Sequence, residues 1–436
     1  MTDFHTPEDV ENAVAQAHAV APELAALPAH RRAAALDHVS TRLAERAEEF
    51  AQAITDDSGK PLRWSRVEVT RAVSTFRWAA EEARRFSGEL QRLDTDPAAE
   101  GRLALVRRVP RGPVLGIAPF NFPLNLVAHK VAPALAVGAP IVLKPAPATP
   151  KAAFLLGELL AETDLPGGAW AVLHLANEDT ARLVEDPRLP VVSFTGSSPV
   201  GWGIRDRVPR KHVTLELGGN AAAIVAPDWT DVEFAAQRIA TFAMYQAGQS
   251  CISVQRVYVH TDVYDAVADA VVAQVKKLDV AGDVGPLIND AAADRVEAWV
   301  AEAGATVLTG GTRDGRTYAP TVLTDVPATA KVNAEEVFGP VVTLTRVDSV
   351  EEAFDLVNAS RYGLQAGVFT TDVRLAFRAA HRLQVGGVIV GDVPSYRADQ
   401  MPYGGVKESG VGREGLRAAM EDLTEPRVLV LTGLEL

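Results

Sequence analysis

Apolar positions along the chain follow two regimes. Over roughly the first ninety residues the spacing is helical: Leu36, Val39, Leu43, Ala47, Phe50 and Ile54 recur every three or four positions, which predicts one stripe of an amphipathic helix. Thr6-Pro7-Glu8-Asp9 offers an N-cap hydroxyl, a proline at the first helical position and acids in the first turn. Another helix is expected after Ser65. From about Arg102 short apolar runs take over, at Pro113–Ile117, Pro140–Leu143, Trp170–Leu175, Pro190–Phe194 and His212–Leu217, separated by segments of helical length. This alternation predicts parallel βαβ units whose strands are buried on both faces. A second alternating set runs from Ala222 to Val390, with strands expected at Val254–His260, Ala305–Thr309, Val341–Val347 and Val388–Val390. No repeat, low-complexity tract or long linker separates the two sets, so they are expected to pack together. Arg427–Thr432 is a β-prone tail after the last helix, of the kind that pairs outside its own domain.

Composition narrows this picture. The 436 residues suggest two or three domains at about 150 residues each. An apolar content of 47% excludes disorder as the main state. A formal charge of −13 argues against bulk electrostatic binding to nucleic acid or anionic membrane, because like charges repel. The single cysteine cannot form an internal disulfide or a Cys-based zinc cluster, which points to a reducing cytoplasm and to no metal site. Residues 1–30 carry no basic stretch followed by an apolar core, so no signal peptide is expected. The most apolar stretch, Leu124–Leu143, is broken by Asn125, His129 and Lys130 and is too polar for a bilayer span.

Four motifs carry candidate chemistry. Gln249-Ser250-Cys251 follows Ala247-Gly248 and precedes a strand. A lone cysteine is more often an inert apolar residue, but the polar neighbours and the adjacent glycine are unlike a core. Glu216 ends an apolar strand just before Gly218-Gly219, where burial would raise its pKa and make it a base near neutral pH; a salt-bridged strand-end carboxylate is the alternative. Thr195-Gly196-Ser197-Ser198-Pro199-Val200-Gly201 opens a helix with small residues whose free N–H groups suit a phosphate, although an ordinary βα turn reads the same way. Pro119-Phe120-Asn121-Phe122-Pro123 is a rigid turn that would fix the Asn121 amide as an oxyanion donor or as a helix cap.

These motifs are joined by Leu143-Lys144-Pro145-Ala146, Glu335-Glu336-Val337-Phe338-Gly339-Pro340 and Pro402-Tyr403-Gly404-Gly405-Val406-Lys407-Glu408-Ser409-Gly410. In order and spacing the set resembles the aldehyde dehydrogenase superfamily over nearly the whole chain. The resemblance implies an α/β fold of two Rossmann-like doubly wound domains and a small β oligomerisation flap. The NAD(P)-binding domain would comprise 1–92 and 111–217, the catalytic domain 218–423, and the flap 93–110 with 424–436. It also implies that Cys251 attacks an aldehyde to give a thiohemiacetal, that Asn121 and the cysteine's own N–H hold the oxyanion, and that Glu216 activates water to hydrolyse the resulting thioester. Acylating relatives lack the glutamate, so its presence implies a free acid as product.

For the cofactor, NAD or NADP, the resemblance implies a site made of Ala118, Pro119, Phe120, Lys144, Ala146, Pro147, Thr195, Gly196, Ser197, Val200, Leu217, Gly218, Glu336 and Phe338. Within it Lys144 would meet the adenosine ribose, Thr195–Ser197 the pyrophosphate, and Glu336 and Phe338 the nicotinamide ribose and ring. NAD-preferring relatives usually carry a glutamate where Pro147 stands. Its loss removes repulsion toward a 2′-phosphate, so NADP use is expected alongside NAD.

Asn125, Leu126, His129, Ser250, Ile252 and Tyr403 match positions lining the aldehyde channel, and the polarity of Asn125 and His129 implies a small polar aldehyde. The segment Asp392–Arg397 with Met401–Tyr403 resembles the branch acting on lactaldehyde, glyceraldehyde-type, phosphonoacetaldehyde or sulfoacetaldehyde substrates. There Arg397 either clamps an anionic tail by bidentate bonds or is a solvated loop arginine. Three departures stand out: Gly391 replaces a usual asparagine, the link Lys277–Gly282 is short, and the N-terminus begins late. The expected partners are the small aldehyde and further copies of the chain, as a homodimer or homotetramer joined through the flaps, with no nucleic acid and no membrane. A specialised enzyme for one anionic aldehyde and a non-catalytic structural protein on the same fold are the competing readings.

Overall fold

A computed structural model describes residues 4–433. Residues 1–3 and 434–436, the outer ends of the expected cofactor domain and flap, lie outside the described residues. The chain opens with four helices: α1 (Pro7–Ala26), α2 (Ala29–Glu45), α3 (Ala47–Ser58) and α4 (Leu62–Arg85). Thr6 and Asp9 form a reciprocal capping box at the start of α1, with Thr6 N–H donating to the Asp9 carboxylate at 2.8 Å. The predicted apolar stripe is not one helix. It breaks at Arg46 into α2 and α3, and Leu36, Val39, Leu43, Phe50 and Ile54 all point into one core.

Beyond β1 (Glu89–Arg92) and β2 (Arg102–Pro110) comes the first parallel set, β3 (Val114–Ile117), β4 (Ile141–Lys144), β5 (Trp170–Val172), β6 (Val191–Thr195) and β7 (His212–Glu216). These form one sheet in the order β7-β6-β3-β4-β5, with Gly410–Val411 added antiparallel beside β7. The reversal of strand order beside β3 opens a crevice at the C-terminal strand ends, where such sheets bind ligands. The polar-interrupted stretch after Asn121 becomes helix α5 (Asn125–Val137), buried along its whole length. The second sheet places Thr306–Thr309, Thr321–Thr324, Val341–Val347, β9 (Arg256–His260), β8 (Ala222–Val225), Gln365–Phe369 and Gly387–Val390 side by side. All its neighbours are parallel except the first pair. No helix among the described residues is long and apolar enough to cross a membrane.

Two segments sit elsewhere than expected. β1, assigned by sequence to the cofactor domain, is the outer strand of the flap sheet β1-β2-(Thr424–Thr432), pairing Glu89 with Val106. All four of its residues are exposed, so it carries no apolar signal of a strand. Residues 410–423, expected with the second region, return to the first. Gly410 and Val411 pair with Glu216 and Leu215, and Leu416, Met420 and Leu423 complete the core against α4 and α5. The C-terminal strand then pairs with β2 from Arg102↔Thr432 to Pro110↔Thr424.

Candidate active site

Cys251 is delivered by a strained turn. After the helix Val232–Met244 the chain passes through Gln246 (φ 42°), Ala247 (φ 57°) and Gly248 (φ 65°), three successive left-handed residues. Only glycine fits the third, because a Cβ there would stand 2.1 Å from the Gly339 carbonyl oxygen. For the two non-glycine residues this conformation costs on the order of 1–2 kcal/mol each. The turn is held by exchanged amides: the Gln246 side chain donates to the Gln249 carbonyl at 3.0 Å and the Gln249 side chain to the Gln246 carbonyl at 3.1 Å. Cys251 emerges partly exposed, facing the crevice of the first sheet.

Asn121 sits between β3 and α5, and a buried ion pair fixes it. The Glu68 carboxylate accepts from the N–H groups of Leu124 (2.8 Å) and Asn125 (3.1 Å), capping α5 where the helix dipole favours negative charge. Lys60 neutralises Glu68 and donates to the Asn121 carbonyl at 2.6 Å. The Asn121 amide donates one hydrogen to the Gln249 carbonyl at 2.9 Å, which ties it to the cysteine turn and leaves its second hydrogen available.

Glu216 ends β7. A Cβ on Gly219 would stand 2.6 Å from the Cys251 carbonyl oxygen, so the glycines after Glu216 let the two chain segments close up. Glu216 is buried and both its carboxylate oxygens lack a protein partner. Burial, then the charge of Glu414, raises its pKa well above the carboxylate range, against the pull of Arg397 and Lys130. Glu414 is the opposite case: burial alone would raise it, but Lys130 and Arg397 hold it at about 2. Two neighbouring carboxyls are thus pushed apart, one ready to carry a proton and one fixed as an anion.

Cys251, Glu216 and Asn121 open on one cleft of about 820 Å³, which all fourteen residues expected at the cofactor also line. At one end Ser197 precedes the helix Ser198–Arg207, whose N-terminal amides face the cleft. Lys144 donates to the Asn177 side-chain oxygen at 2.7 Å, and burial brings its pKa down to about 8. At the other end Glu336 accepts from Gly219 N–H at 2.9 Å, and burial lifts its pKa to about 7. A Cβ on Gly218 would stand 2.3 Å from the Glu336 carboxylate, so this wall is shaped for close approach. Phe338 meets Phe120 edge-on at 5.9 Å. A cleft of this volume with a cation, a helix N-terminus, a hydrogen-bonding carboxylate and a flat aromatic suits a dinucleotide.

The residues expected at the aldehyde divide. Leu126 lines the cleft, while the side chains of the other six are buried and outside its lining. Asn125 accepts from Thr75 Oγ1 at 3.3 Å. His129 meets Asp399 at 3.2 Å, and burial followed by the charge of Arg397 lowers its pKa to about 4, so the ring is neutral. Ser250 and Ile252 flank the nucleophile, and Tyr403 Oη stands 3.2 Å from Cys251 Sγ. Arg397 is no solvated loop residue: its side chain is 5% exposed, it bonds Glu414 at 3.1 Å and it covers the Tyr403 ring at 3.8 Å. One of its terminal nitrogens is therefore already committed. Sequence reading missed Lys60, Glu68, Arg71, Lys130, Asp399 and Glu414. Charged residues on helices and in Gly-rich loops read as solvated until the fold brings them together, and the polar breaks in the α5 stretch were the one available hint.

Known proteins resemble the chain over most of its length. The model of the aldehyde dehydrogenase family matches residues 2–429. A 3-sulfolactaldehyde dehydrogenase from Priestia aryabhattai is 44% identical over 436 residues, covering 98% of this chain and 91% of that protein. An aldehyde dehydrogenase from Physcomitrella patens, solved in complex with the reaction product succinate, superposes with a TM-score of 0.97 at 46% identity, covering 98% of this chain and 91% of that one. A glyceraldehyde-3-phosphate dehydrogenase from Methanocaldococcus jannaschii, solved with NADP, gives 0.93 at 34% identity, covering 99% and 96%.

Proposed function

The chain belongs to the aldehyde dehydrogenase family, and on that premise we propose that it oxidises a small aldehyde with an anionic tail to the carboxylic acid. The observation that carries this reading is the unpaired Glu216 carboxylate sharing one cleft with Cys251 and Asn121. The Cys251 thiolate attacks the aldehyde carbon, forming the C–S bond, and the oxyanion falls to the free hydrogen of the Asn121 amide and to the Cys251 N–H. Bound NAD or NADP supplies the hydride acceptor that turns this adduct into a thioester. Glu216 then takes a proton from water, the hydroxide adds to the thioester, and the acid leaves as Cys251 is released. Lys144, Thr195–Ser197 and Glu336 would hold the adenosine ribose, pyrophosphate and nicotinamide ribose.

The anionic tail is supported by the relatives, which include a dehydrogenase of 3-sulfolactaldehyde, one of glyceraldehyde 3-phosphate and one solved with its product succinate. It is also supported by Arg71 and Arg397, which both keep a buried Nε without a protein partner near Asp399. NADP is taken as well as NAD, since Pro147 offers no carboxylate and Lys144 is bonded to a neutral amide. Association is supported by the C-terminal strand, an edge on which Val428, Leu429, Val430 and Leu431 are exposed, and by the open edge at Gly387–Val390. In this reading a flap strand of one copy extends the second sheet of another, giving a dimer or a dimer of dimers.

Glu216→Gln tests the chemistry. The variant is expected to release a single equivalent of reduced cofactor, accumulate an acyl-enzyme visible by mass spectrometry, and slow turnover by about 10²–10⁴. In the unaltered enzyme deacylation is expected to rise with pH, because a carboxyl with a raised pKa becomes a base only as it loses its proton. Full turnover by the variant, with no trapped intermediate, would end this reading.

A further inference from the structure

Among the described residues one side-chain hydroxyl is hydrogen-bonded to the nucleophile. Tyr403 Oη lies 3.2 Å from Cys251 Sγ. The tyrosine is 4% exposed, and its backbone exchanges hydrogen bonds with Glu414, with Tyr403 N–H donating at 2.9 Å and Glu414 N–H at 2.7 Å. The Arg397 guanidinium lies 3.8 Å over the ring and is itself held by the Glu414 carboxylate. The ring is thus clamped from its backbone and from its face. None of these clamps uses the hydroxyl. A phenylalanine would fill the same space and take the same cation over its ring, so what the tyrosine adds is an O–H at the sulfur.

The surroundings leave that O–H a clear task. Glu216 at the end of β7 and Glu336 in the loop before Val341–Val347 both face the thiol and disfavour its ionisation, while Arg397 favours it. Burial is the largest influence and pushes the thiol up to about 11, and the direct bond from Tyr403 opposes it. The phenol is driven far above its ordinary range, by burial first and then by the Cys251 charge, so it keeps its proton and stays a donor. Arg397 over the ring draws electron density from it and makes that donor stronger.

We propose that Tyr403 is a further catalytic residue of this site: its hydroxyl donates to the Cys251 sulfur, aims it into the cleft and stabilises the thiolate before attack. Once the C–S bond has formed the sulfur is a poor acceptor, and the hydroxyl is freed. The inference rests on the proposed role of Cys251 as nucleophile, and it makes Tyr403 a partner of the enzyme's own sulfur instead of a wall of the aldehyde channel.

The test is the alkylation rate of Cys251, the chain's sole cysteine, by iodoacetamide in the unaltered enzyme and in Tyr403→Phe, from pH 6.5 to 10. Loss of a hydrogen bond to a charged sulfur is expected to lower the thiolate fraction about tenfold. The more basic thiolate recovers roughly threefold in intrinsic nucleophilicity. The net expectation is alkylation about threefold slower at each pH, with an acylation burst slowed at least as much and an unchanged melting temperature. Equal or faster alkylation in Tyr403→Phe would overturn the inference. Trapping by Glu216→Gln reads the proposed function separately: slowed alkylation without a trapped acyl-enzyme keeps the tyrosine's role and removes the hydrolytic reading, and the reverse result does the opposite.

Discussion

Removing Glu68 probes the support of the site without touching any group that meets substrate. Its carboxylate and the Lys60 ammonium are 0% and 3% exposed, and the same carboxylate caps two N–H groups of α5. Glu68→Ala therefore leaves one buried cation unpaired and two helix amides without an acceptor. Loss of one partner of a buried ion pair costs about 3–5 kcal/mol. The lower end is expected here, because Lys60 keeps the Asn121 carbonyl at 2.6 Å and the Phe122 ring at 4.4 Å. Lys60→Met with Glu68→Leu removes both charges and leaves the two amides and the Asn121 carbonyl unsatisfied, so the double variant should recover part of the loss and stay about 1–3 kcal/mol below the original. The single variant has a pH signature. Burial already lowers the Lys60 pKa, and without Glu68 it falls further, so the unfolded chain binds more protons than the folded one and stability rises with pH. Urea midpoints read by tryptophan fluorescence at several pH values measure all three quantities. A single variant within 1 kcal/mol of the original, or a double variant no better than the single, would refute the reasoning.

Two further outcomes are expected. Pro147→Glu restores a carboxylate on the Lys144 side of the cleft, and steady-state kinetics should show kcat/KM for NADP falling at least tenfold relative to NAD; an unchanged ratio would remove the 2′-phosphate argument. Val428→Lys with Val430→Lys places two charges on the exposed C-terminal strand, and sedimentation velocity should show an oligomer converted to monomer; an unaltered chain that already sediments as a monomer contradicts the flap pairing.

Sequence patterns exposed the site where chemistry demands special residues in order. The glycines beside Cys251 and Glu216 have visible reasons in the structure, since each permits an approach a Cβ would block. The strands β3 to β7 were legible because strands covered on both faces must be continuously apolar. What stayed hidden was buried charge. Lys60 and Glu68 are eight positions apart in a stretch rich in charged residues, and Glu414 lies in a run that looks like a polar turn. Nothing local distinguishes these from solvated residues, because their partners come from other elements. The outer flap strand failed for the converse reason, being exposed on every residue. The polarity of Asn125 and His129 pointed to a polar channel; each gives one polar atom to an internal partner, and His129 Nδ1 keeps none.

The return of residues 410–432 to the first half has a consequence for biosynthesis. Leu416, Met420 and Leu423 fill the same core as α2 to α5, and β2 has its long partner only in the final strand. The amino-terminal half, although translated first, lacks a side of its core and a strand of its flap until residues 416–432 leave the ribosome. Two-thirds of the way through synthesis it is still an unfinished object with exposed leucines, so maturation must be a closing step of the whole chain and not a sequence of independent domain foldings. The latch that completes it carries Glu414 and is joined to Tyr403, so the cysteine's surroundings are assembled only when the fold is finished.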